Sequence, residues 1–226
     1  MRRTRRTGLA FVLTGLLVSG CAGLGPASDG TGTQTSGRSG SGPALERVSP
    51  QDAARLSRVI EPLARAADKP PKPVKVGILS DRSINAANAG GGEFYVTRGL
   101  LDRASDEQLL AIMAHEFAHN DLGHVAKAQA VQTGVGVGAA ILESVIPEAA
   151  ILTPIAGTLI TRAHSRSEEL AADRHAVTLL RRVGSSKQAL ENTLAWLARM
   201  SGGEGGGWFA THPGMNERIQ ALRELS

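Results

Sequence analysis

Residues 115–124 read His-Glu-Phe-Ala-His-Asn-Asp-Leu-Gly-His, and the first five of them match the pattern His-Glu-x-x-His. Two histidines four residues apart on a helix project from one face, about one turn from each other. Their imidazoles can bind one zinc ion, and the glutamate after the first histidine can act as general base toward water on that ion. The stretch therefore predicts a helix that carries a catalytic zinc site.

The residues around this motif indicate that it lies well inside a helix. Ser105 can cap the helix start, and Gln108 three residues later completes a capping-box pattern. Asp106 and Glu107 suit the positive end of a helix dipole. The apolar neighbours of the two histidines are Leu109, Ile112, Met113 and Phe117. Since a pentapeptide can match by chance, the alternative at this point is an amphipathic helix with two surface or core histidines.

A catalytic zinc site needs a third protein ligand and an open position for water. His124 lies five residues beyond His119, about 140° around a helix, so we do not expect it to reach the same ion. Two candidates remain near a later helix, Glu169 and His164. Glu169 is favoured because Asp173, one turn further on, can accept a hydrogen bond from a ligating histidine and fix its ring. The alternative for these two carboxylates is a solvated helix face paired with arginines.

Residues 1–20 predict a signal peptide. Basic residues from Arg2 to Arg6 precede an apolar run from Leu9 to Val18, which is too short to span a bilayer comfortably. The run ends in Leu17-Val18-Ser19-Gly20-Cys21, which resembles the lipobox of bacterial lipoproteins. This resemblance implies that Cys21, the single cysteine, is lipidated and anchors the chain to a membrane. The alternatives are an ordinary cleaved signal with an incidental cysteine, and an uncleaved anchor.

Residues 21–45 predict a flexible tether that begins at the lipidated cysteine and precedes a folded domain over residues 46–226. Sixteen of the 22 residues from 22 to 43 are Gly, Ser, Thr or Pro. Such a segment cannot bury enough surface to offset its entropy, and its root-mean-square reach is about 25 Å. The residue after the cysteine is Ala22 and not Asp. In this position the chain resembles the outer-membrane lipoproteins of Gram-negative bacteria. We therefore expect a lipid-anchored protein of the cell envelope, at the inner leaflet of the outer membrane and facing the periplasm.

The charge balance of the chain gives no indication of nucleic-acid binding. Four of the 25 basic residues lie within residues 1–20, so 21 basic and 21 acidic residues remain in the rest of the chain. A neutral chain of this kind lacks the basic surface that nucleic acids require. Aromatic residues make up 3% of the sequence, which predicts an aliphatic core.

The remaining patterns predict an α+β fold that is mostly helical, with a small β-sheet edge beside the active-site helix. Ser49 and Pro50 open a first helix, and residues 74–79 and 93–97 read as strands. Residues 85–92 fit either an ordinary hairpin with a glycine turn or an edge strand to which a peptide substrate can add. Residues 128–161 fit either buried helices or a cover or membrane-facing surface. Further helices are predicted over residues 167–183, 186–200 and 215–225.

Four blocks of sequence, in this order, resemble the M48 family of gluzincin metalloproteases, and in particular its periplasmic lipoprotein branch. The blocks are Ile84-Asn85-Ala86 with residues 91–101, His115–His119, Glu169–Asp173, and Thr211-His212-Pro213 with Arg218-Ile219. Together they cover about residues 50–225 and are far more specific than any one of them. Ala87 departs from the pattern, because the family often has a larger aromatic residue there.

The resemblance implies a zincin-like metalloendopeptidase with one Zn2+ per chain. His115, His119 and Glu169 are the implied zinc ligands, and Glu116 is the implied general base. Asp173 is expected to orient a ligand histidine, and His212 to approach the zinc or stabilise the oxyanion with support from Arg218. The implied substrates are misfolded or membrane-associated proteins, with outer-membrane protein assembly factors as further partners. The alternative is a zinc-stabilised chaperone or assembly factor with little proteolysis, but a structural zinc site does not need a base.

Overall fold

The computed structural model of the protein describes residues 44–71, 73–133, 163–200 and 207–226. The predicted signal peptide, Cys21 and nearly all of the tether lie outside the described residues. Most of the apolar stretch over residues 128–161 also lies outside them, so the choice between a buried and a covering role stays a prediction. Within the described part of the chain, no helix is both long and apolar enough to cross a membrane.

A three-stranded sheet forms one side of the fold. Strands β1 (Lys75–Leu79), β2 (Ala86–Gly90) and β3 (Glu93–Thr97) lie in the order β1-β3-β2. β1 runs parallel to β3, and β2 runs antiparallel to it. The turn between β2 and β3 uses the φ angles +82°, +58° and +85° at Gly90, Gly91 and Gly92, which favour glycine. This strand is one arm of a hairpin and also the outer strand of the described sheet, so the hairpin and the edge position are both confirmed. The addition of a peptide substrate to it stays a prediction.

The helices among the described residues begin and end as follows: α1 Pro50–Ala66, α2 Arg98–Arg103, α3 Asp106–Asp121, α4 His124–Thr133, α5 Arg166–Arg182, α6 Lys187–Met200, α7 Trp208–Thr211 and α8 Met215–Glu224. The predicted caps of α1 and α3 are confirmed. The Ser49 hydroxyl accepts a hydrogen bond from the Asp52 amide. Ser105 and Gln108 exchange the two hydrogen bonds of a capping box at α3. Local capping therefore sets where these two helices begin.

Helix α3 is the centre of the domain, because it packs against α1, α5, α6 and β2. Its side chains are buried on almost every face from Leu109 to His119. The core around it is largely aliphatic, as the composition predicted, with one aromatic pair in which Phe94 of β3 stacks on Phe117 at a ring-centre distance of 4.4 Å. The polar residues of the motif are therefore surrounded by protein.

Several elements differ from their predicted form. Helix α5 starts at Arg166, one residue before the predicted start, because Ser165 and Glu168 form a capping box. The short helix α7 was not predicted. Helix α3 ends at Asp121, and the chain turns at Gly123 with a φ of +72°. His124 therefore begins a new helix, so its assumed position about 140° around a continuous helix was wrong.

Asp121 fixes the end of α3 to its neighbours. Its carboxylate accepts hydrogen bonds from the amides of Asp68 and Lys69, at 2.8 and 3.1 Å. Nε2 of His175 on α5 lies 2.9 Å from the same carboxylate. These contacts hold the carboxyl end of α3 against α5, the helix that carries the predicted third ligand.

Candidate metal centre

The predicted site residues come from three separate parts of the chain and meet in the interior. Helix α3 supplies His115, Glu116 and His119, helix α5 supplies Glu169 and Asp173, and the segment after α7 supplies His212. The exposed fraction of each of these six residues is 2% or less. The structure therefore brings together the residues that the sequence assigned to the metal site. Cys21, the predicted lipidation site, lies outside the described residues.

Four side-chain donors converge closely enough to hold one metal ion. Nε2 of His115 lies 3.0 Å from Nε2 of His119, and the Glu169 carboxylate lies 3.3 Å from each of these nitrogens. Nδ1 of His212 lies 3.3 Å from Nε2 of His115 and 3.1 Å from the Glu169 carboxylate. Ligands bonded to a tetrahedral zinc ion at about 2.0–2.2 Å are separated by roughly 3.3–3.6 Å. The donor set and its spacing therefore fit zinc.

In both histidines of α3, a neighbouring side chain contacts Nδ1, so Nε2 is available to bind a metal. Nδ1 of His115 lies 2.9 Å from Oδ1 of Asp173, so the ring proton belongs on Nδ1. Nδ1 of His119 lies 2.9 Å from Nδ1 of His124, which approaches from the start of α4. Asp173 is therefore close enough to His115 to orient its ring, as predicted. His124 contacts Nδ1 of His119 and is not one of the four converging donors.

Arg218 of α8 lies behind the donors and balances their charge. It donates hydrogen bonds to both oxygens of Asp173, at 2.7 and 2.8 Å, and a further one to the His212 carbonyl at 3.3 Å. Its Nη1 also lies 2.6 Å from Oε2 of Glu169, in a close ion pair that lacks the alignment of a hydrogen bond. Burial raises the pKa of Glu169, but His212, Arg218 and His115 outweigh burial and hold that pKa well below its usual range. Both acidic residues are therefore anionic.

The protonation of His115 follows from the same charges. Burial and Arg218 lower the pKa of His115, but Glu169 and Asp173 outweigh them and raise it to about 9. A histidine must be neutral to bind a metal. Metal binding at this site is therefore expected to release a proton near neutral pH.

Glu116 occupies the position of a base next to the donor group. Burial raises the pKa of Glu116. Its Oε1 is buried without a hydrogen-bond partner among the described residues, and so is Oε2 of Glu169. Each oxygen does have a charged or ionisable neighbour, His212 Nε2 at 3.4 Å from Glu116 and Arg218 Nη1 at 2.6 Å from Glu169. Buried carboxylate oxygens nearly always accept hydrogen bonds, so two that accept none beside converging histidines indicate a site that a cation and water would complete.

Two aromatic contacts around the site had no signal in the sequence. The Trp208 ring stacks on His212, with ring centres 3.9 Å apart, and lies 5.5 Å from His115. His164, a weighed ligand candidate, instead stacks on His119 at 3.9 Å and is not one of the converging donors. A tryptophan after a glycine-rich stretch of sequence has the same local pattern as an ordinary core aromatic, so only tertiary contacts distinguish it.

Comparison with known proteins agrees with this geometry. The sequence profile described as Peptidase family M48 matches residues 50–226. The chain belongs to peptidase family M48. The resemblance found in the sequence is therefore confirmed, as is the mostly helical α+β fold. This M48 peptidase is a metalloendopeptidase, and the metal of its family is typically zinc.

Relatives of this M48 peptidase include two proteins of Escherichia coli (strain K12). Metalloprotease LoiP is 30% identical over 177 residues, which cover 76% of this chain and 69% of LoiP. Metalloprotease YcaL is 29% identical over 181 residues, which cover 75% of this chain and 68% of YcaL. A third relative, the putative beta-barrel assembly-enhancing protease of Vibrio cholerae serotype O1, is 29% identical over 176 residues, which cover 72% of this chain and 36% of that protein.

Proposed function

We propose that this M48 peptidase is a zinc-dependent endopeptidase of the bacterial cell envelope that removes misfolded or membrane-associated proteins. The observation that carries the proposal is Glu116, a buried glutamate beside the converging donors of His115, His119 and Glu169, whose Oε1 accepts no hydrogen bond from the described residues. A structural metal site would have no use for such a base, whereas peptide hydrolysis requires one.

The proposed roles follow from the contacts. His115, His119 and Glu169 would hold the metal, and Asp173 keeps the His115 ring in place through Nδ1. A zinc ion held there would supply polarisation of the substrate carbonyl and a more acidic water. Glu116 takes a proton from the attacking water and delivers it to the leaving amine. Its raised pKa suits both steps, because the group must first accept the proton and then release it. His212, whose Nε2 lies 3.4 Å from the Glu116 carboxylate, assists at the reacting carbonyl.

The edge strand β2 is the proposed binding place for the substrate. β2 is the last strand of the sheet on the side next to α3 and α4. At the opposite edge, residues 44–46 approach β1, and the Glu46 amide donates to the Ile78 carbonyl at 2.8 Å. On β2 itself, the Gln129 side chain of α4 donates to the Ala89 carbonyl at 2.8 Å, so a bound polypeptide would use the other main-chain groups of the strand. A polypeptide that pairs with β2 through main-chain hydrogen bonds would be accepted with little regard to its sequence. Such tolerance suits a protease of misfolded proteins.

The cell-envelope location rests on the amino-terminal sequence. The basic and apolar residues before Cys21, the lipobox-like pattern and the Gly/Ser-rich tether all support export and lipid anchoring. Metabolic labelling with palmitate tests this location directly. Wild type is expected to incorporate label and to fractionate with the outer membrane, and Cys21→Ala is expected to do neither. Label in the Cys21→Ala variant would contradict the assignment.

Glu116→Gln tests the activity. The variant keeps the size and the metal ligands but lacks the base, so it is expected to retain zinc and to lose casein degradation by at least about 100-fold. The wild-type activity should also be abolished by a chelator and restored by zinc. Full activity of Glu116→Gln would contradict the mechanism.

A second candidate function is that of a chaperone or assembly factor for outer-membrane proteins. It draws support from the name of the Vibrio cholerae relative. Mass spectrometry of outer-membrane proteins incubated with wild type and Glu116→Gln separates the two functions. Cleavage products that appear only with wild type support the protease, whereas bound but intact clients with both proteins support the assembly factor.

A further inference from the structure

Asn88 joins the edge strand to the helix that carries the base. It lies in β2 and is 6% exposed. Its Oδ1 accepts a hydrogen bond from the Gly90 amide at 2.8 Å, across an irregularity in the pairing of β2 with β3. Its Nδ2 donates to the main-chain carbonyl of Glu116 at 3.1 Å. The oxygen and the nitrogen of this buried side-chain amide are therefore both hydrogen-bonded, the oxygen within β2 and the nitrogen to α3.

The bond to Glu116 has no substitute among the neighbouring side chains of the strand. The other residues of β2 are Ala86, Ala87, Ala89 and Gly90, none of which carries a polar side chain. Apolar packing between the sheet and α3, such as the stack of Phe94 on Phe117, is not directional and tolerates small shifts. A hydrogen bond requires a defined distance and angle. The hydrogen bond from Asn88 therefore fixes the position of β2 along α3, with Asn88 opposite Glu116.

We propose that Asn88 is a positioning residue that fixes the edge strand relative to Glu116. The Asn88 side chain acts through the main chain of β2 and of Glu116. A peptide paired with β2 then presents its scissile carbonyl at a set distance from the base. The inference rests on the proposed use of β2 as the substrate strand. Because misplacement of a reacting group by about 1 Å can cost about 100-fold in rate, a contact of this kind affects turnover more than binding.

Two variants separate the bond to Glu116 from the bond to Gly90. Asn88→Ala removes both bonds, whereas Asn88→Asp keeps an acceptor for the Gly90 amide and loses the donor to Glu116. Asn88→Asp also adds a negative charge beside Glu116, so the uncharged Asn88→Ala must show the same loss of kcat. Both variants are expected to lower kcat by about tenfold or more on a fluorogenic casein-derived peptide, with KM changed by less than about threefold. The values of kcat are calculated per active site, titrated with a peptide hydroxamate, so that loss of folded protein does not contribute. Zinc content and the thermal unfolding midpoint are measured on the same samples.

Asn120→Ala is the matched control. Nδ2 of Asn120, at the carboxyl end of α3, also donates to a main-chain carbonyl, that of Lys69, at 3.3 Å. This bond leads away from β2, so kcat per active site is expected to match wild type. An unchanged kcat in Asn88→Ala would overturn the proposal, and so would a wild-type kcat in Asn88→Asp. Absence of peptide cleavage by the wild-type, zinc-loaded protein would instead refute the proposed protease function.

Discussion

Arg218 and Asp173 form a two-point hydrogen-bonded ion pair in the interior, with Nε 2.7 Å from Oδ2 and Nη2 2.8 Å from Oδ1. Their exposed fractions are 1% and 2%. Burial raises the pKa of Asp173, but Arg218 and His115 outweigh it and hold that pKa below its usual range. Since Asp173 also holds Nδ1 of His115, the pair connects the last helix of the chain to the metal centre.

Loss of Arg218 is expected to destabilise the whole domain. Arg218→Met leaves the buried carboxylates of Asp173 and Glu169 without their cation, so the free energy of unfolding should fall by about 3–5 kcal/mol. Urea unfolding of the chelator-treated protein, followed by circular dichroism, measures the change. Arg223→Met on the same helix is the control, because Arg223 is 68% exposed and its pairing with Glu191 should be worth under about 1 kcal/mol. Equal losses in the two variants would contradict the prediction.

Removal of Glu169 is expected to remove the metal. Glu169→Ala deletes a buried donor that lies 3.3 Å from each helix histidine, so the zinc content after dialysis should fall from about one ion per chain to a small fraction. Mass spectrometry of the metal measures the ratio. Glu168→Ala alters the neighbouring glutamate, which caps α5 through Ser165, and should keep its zinc. Unchanged zinc in Glu169→Ala would exclude Glu169 from the ligand set.

His212 is expected to act in the reaction and not to be required for holding the metal. In His212→Phe, an aromatic ring can still stack on Trp208 while both ring nitrogens are lost. Zinc should be retained, because His115, His119 and Glu169 remain, and kcat/KM should fall by about 100-fold. His164→Phe, which keeps a ring against His119, serves as the control and should stay within a few-fold of wild type. Zinc loss in His212→Phe would show that His212 is itself a necessary ligand.

Asp52 is expected to make part of the stability depend on pH. Burial raises its pKa, but hydrogen bonds from Arg98 and Ser49 outweigh burial and hold the pKa below its usual value of 3.8. A carboxylate whose pKa is lowered by folding stabilises the protein above the unfolded pKa, and this stability is lost as the pH falls toward the folded pKa. The difference in unfolding free energy between wild type and Asp52→Asn should therefore be constant at neutral pH and shrink below about pH 4. Urea unfolding from pH 7 to pH 3 measures it, and a difference that grows in acid would contradict the assignment.

The sequence by itself determined most of the local elements and indicated the candidate metal-site residues. Caps at Ser49 and Ser105, the alternation of β1 and β3, and the four-residue spacing of His115 and His119 depend on bonds between near neighbours. Such interactions are the same in a short segment as in the folded domain, so the pattern specifies them. Glu169 and Asp173 were indicated by the resemblance of four sequence blocks, in the same order, to the M48 family.

Only the tertiary structure decided how these residues are supported. Arg218 lies on a helix whose sequence is compatible with an exposed cation, yet the side chain is buried against Asp173. The stack of Trp208 on His212, the approach of His124 from a separate helix and the bond from Asn88 to Glu116 likewise join elements distant in sequence. Burial and side-chain distance depend on how helices and strands pack on one another, and no pattern of neighbouring residues carries that information.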